Sequence, residues 1–598
     1  MTDRERAEPS SDRSEPPGPT WQRTLLWIFL AALSVRLLYL VQYSQSPFWL
    51  PALDSLYHDL QARELAQGRE PAEPYFRAPL YVWMLGAIYR LAGPNYWAAR
   101  LVQATLGAGS CVLAAQLGRA WFGDRRVGWV AGGLLALYGP LVFFEGELHT
   151  PVLEVFLTLA FLFAAGCALN APTVVGWLGA GLVSGLAAIT RPNALVGLPL
   201  TVAAAVAPRY FGGAAKGPSV LIRCAALFLG ILIPVGGVTL RNVIVSGDPV
   251  FIASQGGINF FLGNRPDADG ITPTTPRRYA YTDTYRDSVE LFGRRAAEEA
   301  AGRPLKASEA QSYWVRQGLA WWSADLGGAL RLTFKKLVLA FTHREIRNNH
   351  SFDFVRSRMA PVLWAFPIGY GLVAPLGLVA MVRSARRRPE TRLPTLFAGL
   401  YTVSFVLFFV ADRFRLPVAA LLTVFAASLL VSCTDAFRGR APAPPRSMAV
   451  ALIAAALLVW VDWYPTRSPR ADAMDWFSAG NRLREMRRPD EAEGYYREAA
   501  RLDPTNVDVR LNHGASLWDQ GRAGEAEAIW RAALATAPGA REHPSLNFNL
   551  AMAALEGGRV AEARALLAKT LALDPNHAGA RRELDALPAA SPPTPATP

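Results

Sequence analysis

Between Thr24 and Tyr464 the chain alternates apolar runs of about twenty residues, each nearly free of charge, with short polar joints. A helix of that length crosses a hydrocarbon core of roughly 30 Å. Such runs cover residues 24–44, 97–119, 127–144, 151–169, 174–190, 194–208, 222–241, 361–382, 393–411, 416–434 and 447–464, which predicts a polytopic helical bundle of about 11 spans. The stretch 79–93 is shorter, carries Arg90 and spaces Tyr81, Trp83 and Tyr89 like a helix lying at the membrane surface. Residues 45–96 and 242–360 form a first loop and a large, mixed loop region between spans.

The pattern changes after Tyr464. Pro504, Pro538 and Pro575 recur at spacings of 34 and 37, and they bring Gly480, Gly514 and Ala551 into one register. Ala492, Ala526 and Ala563 share a second register, Tyr496, Trp530 and Leu567 a third, and Ala499, Ala533 and Thr570 a fourth. Small residues facing a bulky knob, with proline after the second helix, suit a stacked pair of helices. This pattern resembles the tetratricopeptide repeat, in three copies over 473–576 with a capping helix at 577–587. Residues 465–587 are therefore expected to be an α-solenoid, with disordered segments at 1–23 and 588–598.

Composition narrows the class: 52% hydrophobic with 18% charged excludes a disordered chain or a small disulfide scaffold. The net charge of +13 belongs to the membrane part, since residues 466–598 hold 17 Lys and Arg against 18 Asp and Glu. Its distribution fits topology better than nucleic-acid binding. Arg4, Arg6, Arg13 and Arg23 precede the first span, and later clusters such as Arg383, Arg386, Arg387, Arg388 and Arg392 fall on the same side. The N-terminus is then cytoplasmic, and 45–96, 242–360 and the repeats lie outside. The four cysteines sit in or beside apolar runs, with neither disulfide nor metal spacing.

Charges at the outer ends of spans are the candidates for chemistry. Asp54 opens DSLYHDLQARELAQG, where it reads either as a helix cap or as an acid in a pocket, with Leu56, Leu60 and Ala62 to Leu65 as the apolar face and Tyr57 and His58 beside it. YFRAPLY contributes Arg77; FFEGELHTP contributes Glu145, Glu147 and His149; ITRPNAL contributes Arg191 and Asn193; ADRFRLP contributes Asp412, Arg413 and Arg415. Carboxylates, a histidine and arginines gathered on one face fit a pocket for an anionic group, with arginine as phosphate clamp. Asp267 and Asp269 read as turn formers.

In order and spacing these motifs, together with SGDPVFIASQGGINFFLGNRPDADG at 246–270, resemble the glycosyltransferase family 39-like, ArnT-like group of the GT-C superfamily over roughly 26–432. The resemblance implies a membrane domain at 24–464 that takes a sugar from a polyprenyl-phosphate donor within the membrane lipid. It passes the sugar to a protein, lipid or glycan acceptor on the extracytoplasmic face of the plasma (inner) membrane of a bacterium, by inverting displacement. Asp54 corresponds to the first-loop acid, the general base, and Glu145 or Glu147 to a second acidic site. Arg77, Arg191, Arg413 and Arg415 stand as donor-phosphate ligands, and Tyr57, His58 and Asn193 as substrate contacts. A divalent metal, Mg, Mn or Zn, shared with His149 is the one cofactor expected. Members that mannosylate proteins have Asp-Glu at the first-loop acid, where this chain has Asp54-Ser55. The repeats imply a protein partner. An oligosaccharide ligase of the O-antigen type and a non-catalytic anchor displaying the repeats are the alternative readings.

Overall fold

The computed structural model describes residues 19–214, 216–273 and 288–588. The expected disordered ends fall mostly outside them, at 1–18 and 589–598. The chain divides into two units, Met1–Thr466 and Arg467–Pro598.

Unit one is helical, and among the described residues the only β feature is a bridge between Tyr138 and Ile368. Its helices are α1 (Pro19–Tyr43), α2 (Asp54–Ala66), α3 (Leu80–Ala92), α4 (Tyr96–Phe122), α5 (Arg125–Ala136), α6 (Gly139–Gly146), α7 (Pro151–Asn170), α8 (Val174–Thr190), α9 (Gly197–Val206) and α10 (Val220–Ser246). The large loop region, expected to be mixed, holds α11 (Gly256–Gly263), α12 (Ser288–Ala301), α13 (Ala307–Ala324), α14 (Leu326–Ala340) and the single turn α15 (Phe352–Phe354). Helices α16 (Tyr370–Arg387), α17 (Arg392–Val406), α18 (Asp412–Phe437) and α19 (Arg446–Trp460) complete the unit.

Five of these, α1, α4, α7, α10 and α18, are long and apolar enough to cross a membrane. The run at 127–144 is broken into α5 and α6, because Gly139 and Pro140 restart the helix after Tyr138. The run at 361–382 becomes helical only from Tyr370, preceded by a 3-10 turn at Pro361–Ala365. Helix α1 starts at Pro19, earlier than expected, and Trp21 is anchored by an Nε1 hydrogen bond of 2.9 Å to Gln116. Helix α3 has 13 residues, too few to span, and buries Tyr81, Leu85 and Tyr89.

Helix α18 is the axis of the unit. It is buried continuously from Asp412 to Leu429 and packs against α4, α5, α7, α16 and α17. Elsewhere small residues set the spacing: α8 lies along α10 so closely that a Cβ on Gly181 would overlap the carbonyl oxygen of Leu227.

Unit two pairs α20 (Pro469–Glu485) with α21 (Pro489–Leu502), α22 (Val507–Asp519) with α23 (Ala523–Thr536), and α24 (Pro544–Glu556) with α25 (Val560–Leu573), closed by α26 (Ala578–Ala586). The registers read from the sequence are its core: Tyr496, Trp530 and Leu567 are buried knobs, flanked by buried alanines and Thr570. Arg522 bridges Glu525 of its own repeat at 2.7 Å and Glu493 of the preceding one at 2.6 Å, and Arg559 repeats the pattern with Glu562 and Glu527. The equivalent of Glu493 and Glu527 in the last repeat is Arg564, which ends the ladder.

Candidate active site

Asp54 is the first residue of α2, inside the helix rather than at its cap. The capping position belongs to Leu53, whose φ of 52° and ψ of −123° are costly for a residue with a Cβ. The carboxylate turns to two arginines. Arg77 Nη2 donates to Oδ1 at 2.7 Å, and Arg413 Nη1 donates to Oδ2 at 2.7 Å. His149 Nε2 lies 3.3 Å from Oδ2 and against Arg413 Nη1. Three segments from the two ends of unit one thus meet on one carboxylate.

Each segment is held locally. The 75–79 segment, which leads into α3, is tied down by Ser254 and Gln255, whose N–H groups donate to the carbonyls of Tyr75 and Phe76, and by Tyr75 N–H, which donates to Asn242 Oδ1 at 3.2 Å. Arg77 lies over the ring of Tyr57, 4.8 Å from its centroid. The 146–150 turn is fixed from α4, where Gln103 Nε2 donates to the carbonyls of Glu145 and Glu147 and Arg100 Nε donates to that of Gly146 at 2.6 Å. The N–H of Thr150 donates to His149 Nδ1 at 2.7 Å, which fixes the ring with Nε2 toward Asp54 and Arg413. Arg413 is placed by the N-terminal turn of α18.

Electrostatics follow from burial. Burial pushes the Asp54 carboxyl up, but Arg77, Arg413 and His149 together hold it well below the usual carboxylate range. Burial and then Arg413 push His149 down to about 3, so it is neutral. His58 is likewise depressed by burial and by His149; its ring is edge-on to Tyr81 and to His149, each at 5.1 Å, and neither nitrogen has a hydrogen-bond partner. Asp54, Arg77 and Arg413 carry a net charge of +1, which suits a singly charged anion.

Not every expected residue joins this group. Glu145 pairs with buried Arg36 at 2.7 Å and rests on Gly107, one turn of backbone away from the Asp54 cluster. Glu147 accepts from Tyr43 at 2.6 Å and from Ser55 at 3.3 Å, supporting α2 from beneath. Arg191, at the end of α8, is held by Glu154 at 2.9 Å and lies over Phe414 at 4.1 Å. Arg415 is turned away: it donates to the carbonyls of Thr342 and Arg344 and to Glu345 at 2.8 Å, pinning the 342–346 segment. Asn193 donates to Ser404 on α17 at 3.0 Å. Asp269 is the turn former expected, accepting from the N–H groups of Ile271 and Thr272.

The metal expected at His149 does not fit. Glu145, Glu147 and His149 are each committed to different partners, and no three His, Cys, Asp or Glu side chains among the described residues form a ligand set. Two guanidiniums on Asp54 supply positive charge where a cation would sit and would repel one.

Sequence reasoning missed Arg36, Glu154 and Arg100, charges inside apolar runs whose rarity is itself a signal. It also missed Asn348, Asn349 and His350, which line a small cavity with Glu147, His149 and Arg413.

Residues 76–236 match the family described as dolichyl-phosphate-mannose-protein mannosyltransferase, and 477–541 and 511–578 match the tetratricopeptide repeat. Two crystal structures of ArnT from Cupriavidus metallidurans are similar to this chain. The one bound to undecaprenyl phosphate is 16% identical and the apo one 17%, each covering 69% of this chain and 79% of that chain with a TM-score of 0.33. A search of curated protein sequences finds no match. The chain is a multi-pass membrane protein in which a segment similar to that mannosyltransferase family precedes tetratricopeptide repeats.

Proposed function

We propose that this protein is a membrane glycosyltransferase that moves a sugar from a polyprenyl-phosphate donor to a hydroxyl of a protein, lipid or glycan acceptor on the extracytoplasmic face of the plasma membrane. The observation that carries this is the contact of one carboxylate, Asp54, with two arginines, Arg77 and Arg413, each at 2.7 Å. A carboxylate beside two guanidiniums supports the reading of a base next to an anion clamp, as transfer between a hydroxyl and a phosphate leaving group requires. The family match over 76–236 includes Arg77.

In the reaction the acceptor oxygen forms a bond to the anomeric carbon as the bond from that carbon to the phosphate oxygen breaks, with inversion. The acceptor proton passes to Asp54, and the bonding pair leaves with the polyprenyl phosphate. Charge stays balanced: two guanidiniums, one carboxylate and a phosphodiester sum to zero, as do two guanidiniums, a neutral Asp54 and a dianionic phosphomonoester. A buried site gains from that constancy, because no net charge is created in low dielectric. Neutral His149 braces the pair, its Nε2 lying against Arg413 Nη1 and 3.3 Å from Asp54 Oδ2. The repeat unit serves as a docking surface for a partner or acceptor.

The test is transfer of labelled sugar from a panel of polyprenyl-phosphate donors in membranes holding the chain or its Asp54→Asn variant. Transfer by the first alone supports the reading. No transfer from any donor, with both forms still recruiting one partner through the repeats, replaces it with an anchor.

A further inference from the structure

Each oxygen of Asp54 accepts from a guanidinium, which is a poor state for a base. Its two arginine partners are also the groups that a donor phosphate needs. Arg413 keeps one donor in reserve: its Nε is buried and has no hydrogen-bond partner, although the side chain is only 9% exposed. An unpaired buried N–H is costly and points to an absent acceptor. Each guanidinium also lies against an aromatic face, Arg77 over Tyr57 and Arg413 over Phe414 at 4.9 Å, surfaces across which the planar group shifts without losing contact.

We infer that Asp54 stands in for the donor phosphate in the free protein, and that a phosphate entering the site draws Arg77 and Arg413 onto itself and releases the carboxylate as the base. The inference rests on the donor-phosphate reading above and adds an order to it. The donor binds first, and only the donor-loaded site can deprotonate an acceptor. The idle protein is thereby kept from activating water or an acceptor with no sugar to transfer. No bond is made or broken in the exchange; two carboxylate–guanidinium contacts are replaced by phosphate–guanidinium contacts.

The alternative role for Asp54 is to hold the two arginines in place for phosphate, and the two roles predict opposite signs. A competing carboxylate weakens phosphate binding, so removing its charge tightens it; a positioning carboxylate strengthens it, so removal loosens it.

The experiment measures binding of farnesyl phosphate, with farnesol and inorganic phosphate as the other arms, to the full chain in lipid nanodiscs. The forms compared are wild type, Asp54→Asn, Asp54→Ala, Arg413→Gln and the Asp54→Asn/Arg413→Gln double variant. Asp54→Asn should bind farnesyl phosphate on the order of tenfold more tightly than wild type while losing transfer. Inorganic phosphate should compete, farnesol affinity should not change, and the gain should vanish in the double variant. Asp54→Ala gives the same sign if Asp54→Asn fails to fold. Equal or weaker binding by both Asp54 variants, in a protein whose wild type binds and transfers, overturns the exchange and leaves the glycosyltransferase reading standing. Failure of every form to prefer farnesyl phosphate over farnesol overturns both.

Discussion

Arg413 and Asp54, 359 positions apart in sequence, meet through a 2.7 Å bond between Nη1 and Oδ2. One lies in the first turn of the central helix of the membrane unit and the other opens a short helix of its first loop, so the site is a junction between two helix starts. The fold fixes the backbone at both positions, so an exchange of partners there is a movement of side chains.

The junction makes Asp54 the residue whose chemistry is hardest to replace. Asp54→Asn should lower the turnover of sugar transfer by roughly 10²–10⁴, the usual contribution of a general base. Asp54→Glu, which keeps the charge but displaces it, should retain part of the activity. Thermal stability measured alongside should stay close to wild type for Asn, which still accepts a hydrogen bond from an arginine. Full turnover in Asp54→Asn would remove the residue from the chemistry.

Arg413 and Arg415 should separate cleanly. Arg413→Gln should abolish transfer with a small change in melting temperature. Arg415 is 1% exposed and paired with Glu345, so Arg415→Met leaves a buried carboxylate uncompensated and should cost about 3–5 kcal/mol of stability. The folded fraction of that variant should still bind farnesyl phosphate. Melting temperature and phosphate binding measured on both variants check this, and a stable but non-binding Arg415→Met would return Arg415 to the clamp.

How much of this was legible beforehand differs from residue to residue. Asp54, Arg77, His149 and Arg413 were all candidates in the sequence, because charges at span ends are conspicuous. Arg415 separates from Arg413 because α18 begins at Asp412, ahead of the run expected from 416, and residues two apart on a helix do not share a face. The role of α2 was harder. Its apolar positions suggested Leu56, Leu60 and Ala62 to Leu65 as the inward face; Ala62 is buried as expected, but Ser55, His58 and Asp59 are buried where Leu56 and Leu60 are not. That polar face is stable only because distant partners satisfy it, such as Tyr89 donating to Asp59 at 2.6 Å, and such partners leave no periodic trace. The repeats were fully legible, since each knob and its facing small residue recur in register.

Acid should weaken the membrane unit through its buried histidines. The folded-state values of His149, about 3, and His58, well below 6.5, are depressed relative to the unfolded chain. Between those values the unfolded state binds the protons, so stability rises with pH and is lost as pH falls below about 6.5. His149 should cost about 1.4 kcal/mol between roughly pH 7.5 and 5.5, and His58 adds to the loss in the same direction. Asp54, with its depressed value, loses its contribution only below the usual carboxylate range, outside this window. Melting curves of wild type and His58→Phe across that range decide the matter: the variant should show a shallower slope, and an unchanged slope would refute the assignment.

In the repeats, size is matched across each helix pair. Gly480 faces Tyr496 and Gly514 faces Trp530, whereas the third pair places Ala551 against the smaller Leu567. A Cβ on Gly514 would run into the indole of Trp530, so Gly514→Ala should destabilise its repeat by about 1–3 kcal/mol despite its better helix propensity. Trp530→Leu alone should cost a similar amount by opening a cavity. Combined, the two reproduce the solution of the third pair, and the double variant should be more stable than the sum of the singles by about 1 kcal/mol or more. Hydrogen exchange of peptides from α22 and α23 in the full chain measures the coupling, and strict additivity would show that the two positions do not pack as a pair.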